Sequence, residues 1–152
     1  TVFMRVDGQF SGDSLPSAVR RSVGGANSVR GYEEGEVSGD NAVTATVELR
    51  TPLFRNFICP LKKTDEYLDA NPEAWQQHRL QFIIFGDAGW LQNKEPLPGE
   101  MDSETLASLG VGLRFGFTKY LQARLDYGYA LEDTTEDTPS SGALHLSVQG
   151  QF

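Results

Sequence analysis

Residues that could carry enzyme chemistry are few in this chain, and none of them forms a recognisable site. The two histidines, His78 and His145, share no motif, and nothing near the single Cys59 has metal-ligand spacing. There is no GxSxG elbow, no phosphate loop and no metal-spaced cluster of His, Cys and Asp. His145 falls on the polar side of an alternating stretch, where a lone histidine is usually a surface residue. The sequence therefore predicts no catalytic residues and no metal site.

Two charged residues stand out because their surroundings do not suit them. Asp87 lies in "FIIFGDAGW", the most apolar stretch of the chain, and a buried carboxylate is costly without a partner. Arg30 lies in a long Gly-rich loop, 12–40, next to Gly31, which permits a tight tip, and Tyr32, which can pack. Either the loop folds inward and pairs Arg30 with Asp87, or both charges face water. The residues alone leave both interpretations open.

The elements that must position these residues are strands, because apolar and polar residues alternate along most of the chain. In the last such stretch Leu144, Leu146 and Val148 fall on one face, and His145 and Ser147, with Gln149 after them, fall on the other. This period of two predicts six strands, at 1–11, 41–51, 78–91, 106–118, 120–132 and 142–152.

One of these strands departs from the simple alternation. In 78–91 the apolar Ile83 and Phe85 share a face with the polar Gln81 and Asp87. We therefore expect this strand to be buried on both sides.

The connections between the strands alternate in length. Long loops follow the first, third and fifth strands, whereas Lys119 and Tyr120 mark a tight turn after the fourth. Long loops on one side and short turns on the other are typical of outer-membrane barrels, and strands of about ten residues are long enough to cross a bilayer. The connection 52–77 does not fit this alternation. A soluble β-sandwich, in which one face of each strand packs in a core, remains an alternative.

Composition narrows the class of protein further. The formal net charge of −8 makes nucleic acid an unsuitable partner. No apolar run approaches the roughly 20 residues of a membrane-spanning helix, although this does not exclude a membrane barrel. The N-terminal "TVFMRVDGQF" already reads as a strand, so we expect that a leader was removed or that the chain is part of a longer one.

The stretch "GGANSVRGYEEGEVSGDNAVTATVELRTPLF" resembles the C-terminal barrel of the two-partner-secretion transporters, the haemolysin secretion/activation family of Gram-negative outer membranes. The resemblance continues through "FGDAGW", "ASLGVGLRFGF", "LQARLDYGYAL" and "LHLSVQGQF". It covers nearly the whole chain except 58–77, whose role is not assigned.

The resemblance implies a transporter that moves an unfolded exoprotein, such as a haemolysin or adhesin, across the outer membrane without ATP or any cofactor. It also implies that the VRGY loop folds into the barrel lumen, where its Arg meets the acid of the DxG strand. The terminal Phe152 would end the signal that the barrel-assembly machinery reads. The implied loop latch consists of Val29, Arg30, Gly31, Tyr32, Asp87 and Gly89.

The expected fold is an all-β, antiparallel transmembrane β-barrel segment of about six strands with one long inward-folding loop. The family barrel has sixteen strands and is preceded by POTRA domains, and six strands cannot close even a barrel of eight. We therefore expect 1–152 to be the C-terminal part of a barrel domain, either a fragment or a short relative that pairs with further copies. Its other expected partners are the exoprotein, outer-membrane lipid and the assembly machinery. The alternatives are a barrel-assembly insertase, the barrel of a membrane-tethered lipase, or a soluble binding module.

Overall fold

The fold is described from a computed structural model, which covers residues 1–55, 78–96, 101–117, 121–132 and 142–150. One 3-10 turn, Ser17–Val19, is the only helix in these residues, and no helix there is long and apolar enough to span a membrane. The strands are β1 (Val2–Gln9), β2 (Arg21–Val23), β3 (Val37–Gly39), β4 (Asn41–Arg50), β5 (Phe54–Arg55), β6 (His78–Gln92), β7 (Ser103–Phe117), β8 (Leu121–Ala130) and β9 (Gly142–Gly150).

Six long strands form one antiparallel sheet in the order β1-β4-β6-β7-β8-β9, and the short β5 pairs with β6. Apart from the loop between β1 and β4, neighbours in the chain are neighbours in the sheet, so the sheet is a simple meander. Within the described residues β1 and β9 do not pair with each other, and the sheet is open. The prediction of an all-β chain with about six antiparallel strands is confirmed.

The two faces of the sheet differ in character as the alternation predicts. Leu144, Leu146 and Val148 of β9 project from one face, and Leu146 is 70 % exposed. Ser147 and Gln149 lie on the opposite face, beside Arg124 of β8. We call the apolar face the outer face and the polar one the inner face, because the long loop folds over the latter.

The expectation that the strand 78–91 is buried on both sides is wrong. Phe85 is only 2 % exposed, but Ile84 on the outer face is 60 % exposed. Both faces of β6 carry large apolar residues for different reasons. Phe85 lies beneath the loop, whereas Ile84 continues the apolar outer face formed by its neighbours Leu49 and Val111.

The loop between β1 and β4 contains structure that alternation did not predict. The strands β2 and β3 pair as an antiparallel ribbon, with Ser22 opposite Ser38. Each is three residues long, too short for a period of two to be recognised. The strand β7 also begins earlier than predicted, at Ser103 rather than 106. The segment 58–77, the predicted turn at Lys119–Tyr120 and Phe152 lie outside the described residues.

The loop is held on the inner face by a small apolar core. Its members from the loop are packed against single residues from four successive strands of the sheet, β4, β6, β7 and β8. The core consists of Val23, Val29, Tyr32, Ala42, Leu91, Leu106 and Ala130. This core lies toward the end of the sheet that carries the long loops, and it fixes the direction in which the loop tip points.

Glycine on the inner face leaves room for the loop backbone. A Cβ atom on Gly128 of β8 would lie 2.6 Å from the Gly31 nitrogen and 2.7 Å from the Arg30 carbonyl carbon, closer than Cβ atoms approach other atoms. Gly31 itself has a φ of 101°, a conformation that favours glycine. The loop tip therefore lies directly on β8, and a side chain at either position would displace it.

Gly128→Ala is expected to loosen the loop while leaving the sheet intact. Overpacking at a tight contact costs roughly 1–3 kcal/mol, so amide hydrogen exchange at Val29 and Arg30 should accelerate. Gly86→Ala is the matched control, because Gly86 is also a strand glycine and its closest neighbour is a side-chain atom, Leu109 Cδ2 at 3.2 Å. Equal exchange rates in the two variants would contradict the conclusion that the loop tip packs directly on Gly128.

Candidate functional site

The structure brings Arg30 and Asp87 together on the inner face. Arg30 Nε lies 2.7 Å from Asp87 Oδ2, and Nη2 lies 2.9 Å from Oδ1, so the guanidinium and the carboxylate form a bidentate pair. The Arg30 backbone N–H also donates to Asp87 Oδ2 at 3.1 Å. The side chain and the main chain of one loop residue are thus fixed by the same carboxylate on β6.

Two further groups complete the surroundings of Arg30. Its Nη1 donates to Glu48 Oε1 on β4 at 2.7 Å, and its Cζ lies 3.4 Å from the centre of the Phe85 ring. Arg30 is 2 % exposed, so its charge would be costly without these partners. The carboxylates accept hydrogen bonds from the edges of the guanidinium, and the aromatic ring packs against its plane as a cation–π contact.

A second carboxylate centre lies beside the first. Asp126 of β8 is fully buried, and its Oδ2 lies 3.6 Å from Arg30 Nη1. It also accepts hydrogen bonds from Arg114 of β7 and from Arg124 of its own strand. On the other side, Arg50 Nε donates to Glu48 Oε2 at 2.8 Å.

These residues form one network, which we call the inner-face ion network. It contains four guanidinium groups and three carboxylates, so its formal charge is +1 when every group is ionised. Glu48 and Asp126 each bridge three guanidinium groups, whereas Asp87 binds Arg30. Its members are Arg30, Glu48, Arg50, Asp87, Arg114, Arg124 and Asp126.

Tyr32 and Gly31 anchor the loop to the last strands. The Tyr32 hydroxyl lies 2.9 Å from the carbonyl oxygens of Ala107 and Glu132, and the amides of the same two residues donate to it at 3.3 Å. Burial raises the pKa of Tyr32, so its hydroxyl stays protonated and can donate to one of the two carbonyl groups. The Gly31 amide points at His145 Nε2, 3.4 Å away.

Of the remaining residues singled out from the sequence, Gly89 and His145 lie close to the loop. Gly89, the glycine of the DxG pattern, makes room for Val29, whose Cγ2 would lie 3.0 Å from a Cβ at that position. His145, expected to be a polar surface residue, is instead half-buried beside the loop tip, because the loop covers the face on which it lies. Phe152 lies outside the described residues.

Sequence reasoning missed most of the ion network. It named Arg30 and Asp87 but not Glu48, Phe85 or Asp126, which complete the site. The only available signal was weak: Glu48 and Asp126 are charged residues on the polar faces of predicted strands, where water contact would equally explain them.

The base of the loop has its own buried acid. Asp40, just before β4, accepts hydrogen bonds from the amides of Lys94 and Leu15, each at 2.8 Å, and lies 3.2 Å from Arg20 Nε. These amides, first that of Lys94 and then that of Leu15, hold the pKa of Asp40 below its usual value. Asp40 thereby joins the start of the loop, its end and the connection after β6.

In chemical terms the site restrains a loop through ion pairs and hydrogen bonds. No group of three or more His, Cys, Asp or Glu residues that could hold a metal ion occurs in the described parts of the chain. The carboxylates are held by arginines, and so are not free to act as acid or base.

Arg30→Ala and Asp87→Ala are expected to destabilise loop docking as one unit. Removing one member of a buried pair costs roughly 3–5 kcal/mol, and Glu48 reduces that for Asp87→Ala by retaining a partner for Arg30. The double variant should be no worse than the more damaging single one. Hydrogen exchange of the loop in the purified protein measures this. Arg5→Ala and Asp7→Ala, an exposed ion pair on β1, are the control; additive losses at Arg30 and Asp87 would show that they act independently.

The loop base should open at low pH because of Asp40. Because the pKa of Asp40 is lowered in the folded state, its carboxylate stabilises the loop base fully above the ordinary Asp pKa of about 3.9. This stabilisation is lost as the pH falls below that value. Loop proteolysis or exchange measured from pH 7 down to pH 3 should therefore increase below about pH 4. Asp40→Asn should open the base at pH 7 and remove this dependence, whereas Asp13→Asn, at an exposed position, should change neither.

Comparison with known proteins identifies the family of the chain. A family model described as "Haemolysin secretion/activation protein ShlB/FhaC/HecB" matches residues 4–115, well over half of the chain. The match includes Arg30, Glu48 and Asp87 and ends before Asp126. A search of curated proteins and a search of solved structures returned no significant match. The chain therefore belongs to the haemolysin secretion/activation family, whose members are outer-membrane protein transporters of two-partner secretion in Gram-negative bacteria.

Proposed function

We propose that the protein carrying this chain translocates an unfolded exoprotein, of haemolysin or adhesin type, across the outer membrane, and that it does so without enzyme activity or a cofactor. The observation that carries the proposal is the buried pairing of Arg30 with Asp87 and Glu48 on the inner face of an amphipathic sheet. Family membership supports the transport role. In this proposal residues 1–152 are the C-terminal part of a barrel domain.

The two faces of the sheet support a position in the membrane. The outer face presents a continuous set of exposed apolar side chains, such as Ile84, Val111 and Leu146, as lipid contact requires. The inner face carries the ion network and polar side chains, which suit a water-filled lumen. Within the described residues the outer edges of β1 and β9 are unpaired, and they call for further strands, or for further copies of the chain, to close the wall.

The loop between β1 and β4 acts as a latch inside this lumen. It is held at four places: the apolar core, the Arg30 ion pairs, the Tyr32 hydroxyl and the base at Asp40. A segment fixed in this way narrows the path and gives the wall a defined shape on the inner side. Phe152 is proposed as the end of the signal that the assembly machinery reads on the new barrel.

Secretion by the full-length protein tests the latch. Arg30→Lys keeps the charge but loses the bidentate geometry, and Asp87→Asn keeps the shape but loses the charge. Each should lower the exoprotein found in the medium by about tenfold, equivalent to roughly 1.4 kcal/mol of lost latch stability. The amount of transporter assembled in the outer membrane should stay close to that of the unaltered protein, as measured by heat-modifiable mobility.

The control is Arg5→Lys, which leaves the ion network unchanged. Normal secretion by Arg30→Lys and Asp87→Asn, with normal assembly, would contradict the latch. If instead the unaltered protein secretes no partner but promotes the assembly of other outer-membrane barrels, the insertase function replaces the one proposed.

A further inference from the structure

A polar cleft lies on the inner face beyond the tip of the loop, toward the end of the sheet opposite the long loops. Its volume is about 470 Å³. Its walls include Arg79, Arg114 and Arg124 from three successive strands and Gln149 from β9, and Asn27 of the loop tip reaches it from above. Among the residues that the structure describes, no carboxylate side chain lines it, although the whole chain carries a net charge of −8.

Arg79 has no charged partner in the described part of the chain. It lies on the inner face of β6 directly opposite Gly116 of β7, and a Cβ on Gly116 would lie 3.3 Å from Arg79 Nε. The side chain therefore lies across the neighbouring strand at a position where glycine leaves space for it. A half-buried guanidinium held over the sheet without a carboxylate has unused hydrogen-bond donors.

The other two arginines of the cleft share one acid. Arg114 and Arg124 are direct cross-strand neighbours, an arrangement in which like charges repel. Asp126, two residues further along the same face of β8, binds both and relieves that repulsion. Arg114 also lies 3.8 Å from Glu48 Oε1, but Arg30 and Arg50 bind Glu48 as well, and Arg30 approaches Asp126. Among the described residues, the arginines around the cleft therefore outnumber the carboxylates that they share. The cleft therefore has a local excess of positive charge in partly dehydrated surroundings.

We propose that this cleft binds carboxylate side chains on an extended, acidic segment of the polypeptide that passes through the lumen. The inference rests on the proposed function and adds the class of segment that the lumen wall recognises. Arg79, which has no charged partner among the described residues, provides a bidentate donor. Arg114 and Arg124 add charge, and Gln149 and Ser147 can hydrogen-bond the backbone of an extended chain.

Charge at the two ends of the sheet favours this location. Exposed acids surround the end that carries the long loops, among them Glu33, Glu34, Asp102 and Glu132. An acidic segment is repelled there and attracted to the arginine cleft, so charge complementarity selects the cleft within the described surface.

Binding in the cleft is coupled to the loop through Arg124. Its Nη2 donates to the carbonyl oxygen of Ala26, at the loop tip, at 2.7 Å. A carboxylate that binds Arg124 competes with this carbonyl group and with Asp126. The bound segment should therefore loosen the loop tip around Ala26 and Asn27, and an undocked loop should in turn favour binding.

Peptide binding to the full-length protein in detergent tests the inference. The probes are two fluorescein-labelled peptides with the same Gly/Ser flanks, one with a central run of six Glu and one with six Lys. The Glu peptide should bind more tightly at low salt, and Arg79→Gln should weaken it by about tenfold, the effect of one lost charge-assisted pair. Arg5→Gln removes the same charge from the inner face of β1 and should leave the affinity unchanged. Saturating Glu peptide should accelerate amide exchange in the segment 25–28.

The outcomes separate this inference from the proposed function. Equal affinity for both peptides, or unaltered binding in Arg79→Gln, overturns the cleft as a site for acidic segments. If the unaltered protein still secretes its partner, the proposed function stands in that case. If the protein binds the Glu peptide specifically but secretes no partner, the cleft is confirmed as a site for acidic segments. The proposed transport function is then overturned.

Discussion

The positive charge of Arg30, buried at the centre of the inner face, is the constraint on which the rest of the site depends. A guanidinium at 2 % exposure needs opposite charges around its edges, and here they come from β4, β6 and β8 rather than from the loop itself. The register of the sheet determines that these acids converge. Glu48 is paired with Phe85, and Asp87 lies two residues further along the same face of β6. A slip of one residue would turn either acid to the outer face.

Glycine on the inner face is the second requirement of the same arrangement. Gly89, Gly110 and Gly128 lie on three successive strands beneath the loop, and each is close to atoms that a side chain would strike. Gly110 gives room to the Phe85 ring, which in turn contacts the guanidinium. These positions weaken the strands intrinsically, and the docked loop restores the contacts that the missing side chains would have made.

The chemical character of the inner face changes along the length of the strands. Apolar contacts hold the loop near the long-loop end, the ion network follows, and the arginine cleft lies beyond it. The central layer is paired and rigid, whereas the cleft contains an unpaired guanidinium in the described structure. In the proposed function, this arrangement holds the loop in place and presents positive charge to the translocated chain. The hydrogen bond from Arg124 to the Ala26 carbonyl connects the cleft to the loop.

The sequence by itself determined the strands and their faces, and it singled out Arg30 and Asp87 as charges in unusual surroundings. A period of two is a local property, so it was readable for six strands, whereas the inward fold of the loop was implied only by the resemblance of "VRGY" and "DxG" to the transporter family. Tertiary structure alone decided which acids meet Arg30, because Glu48 and Asp126 are separated from it by 18 and 96 positions and look like ordinary polar-face residues. Tertiary structure also determined the pairing of β2 with β3, the partial burial of His145 and the exposure of β6 on one face only. The last two depend on what covers a face, and alternation along a strand identifies two faces without showing what packs against either.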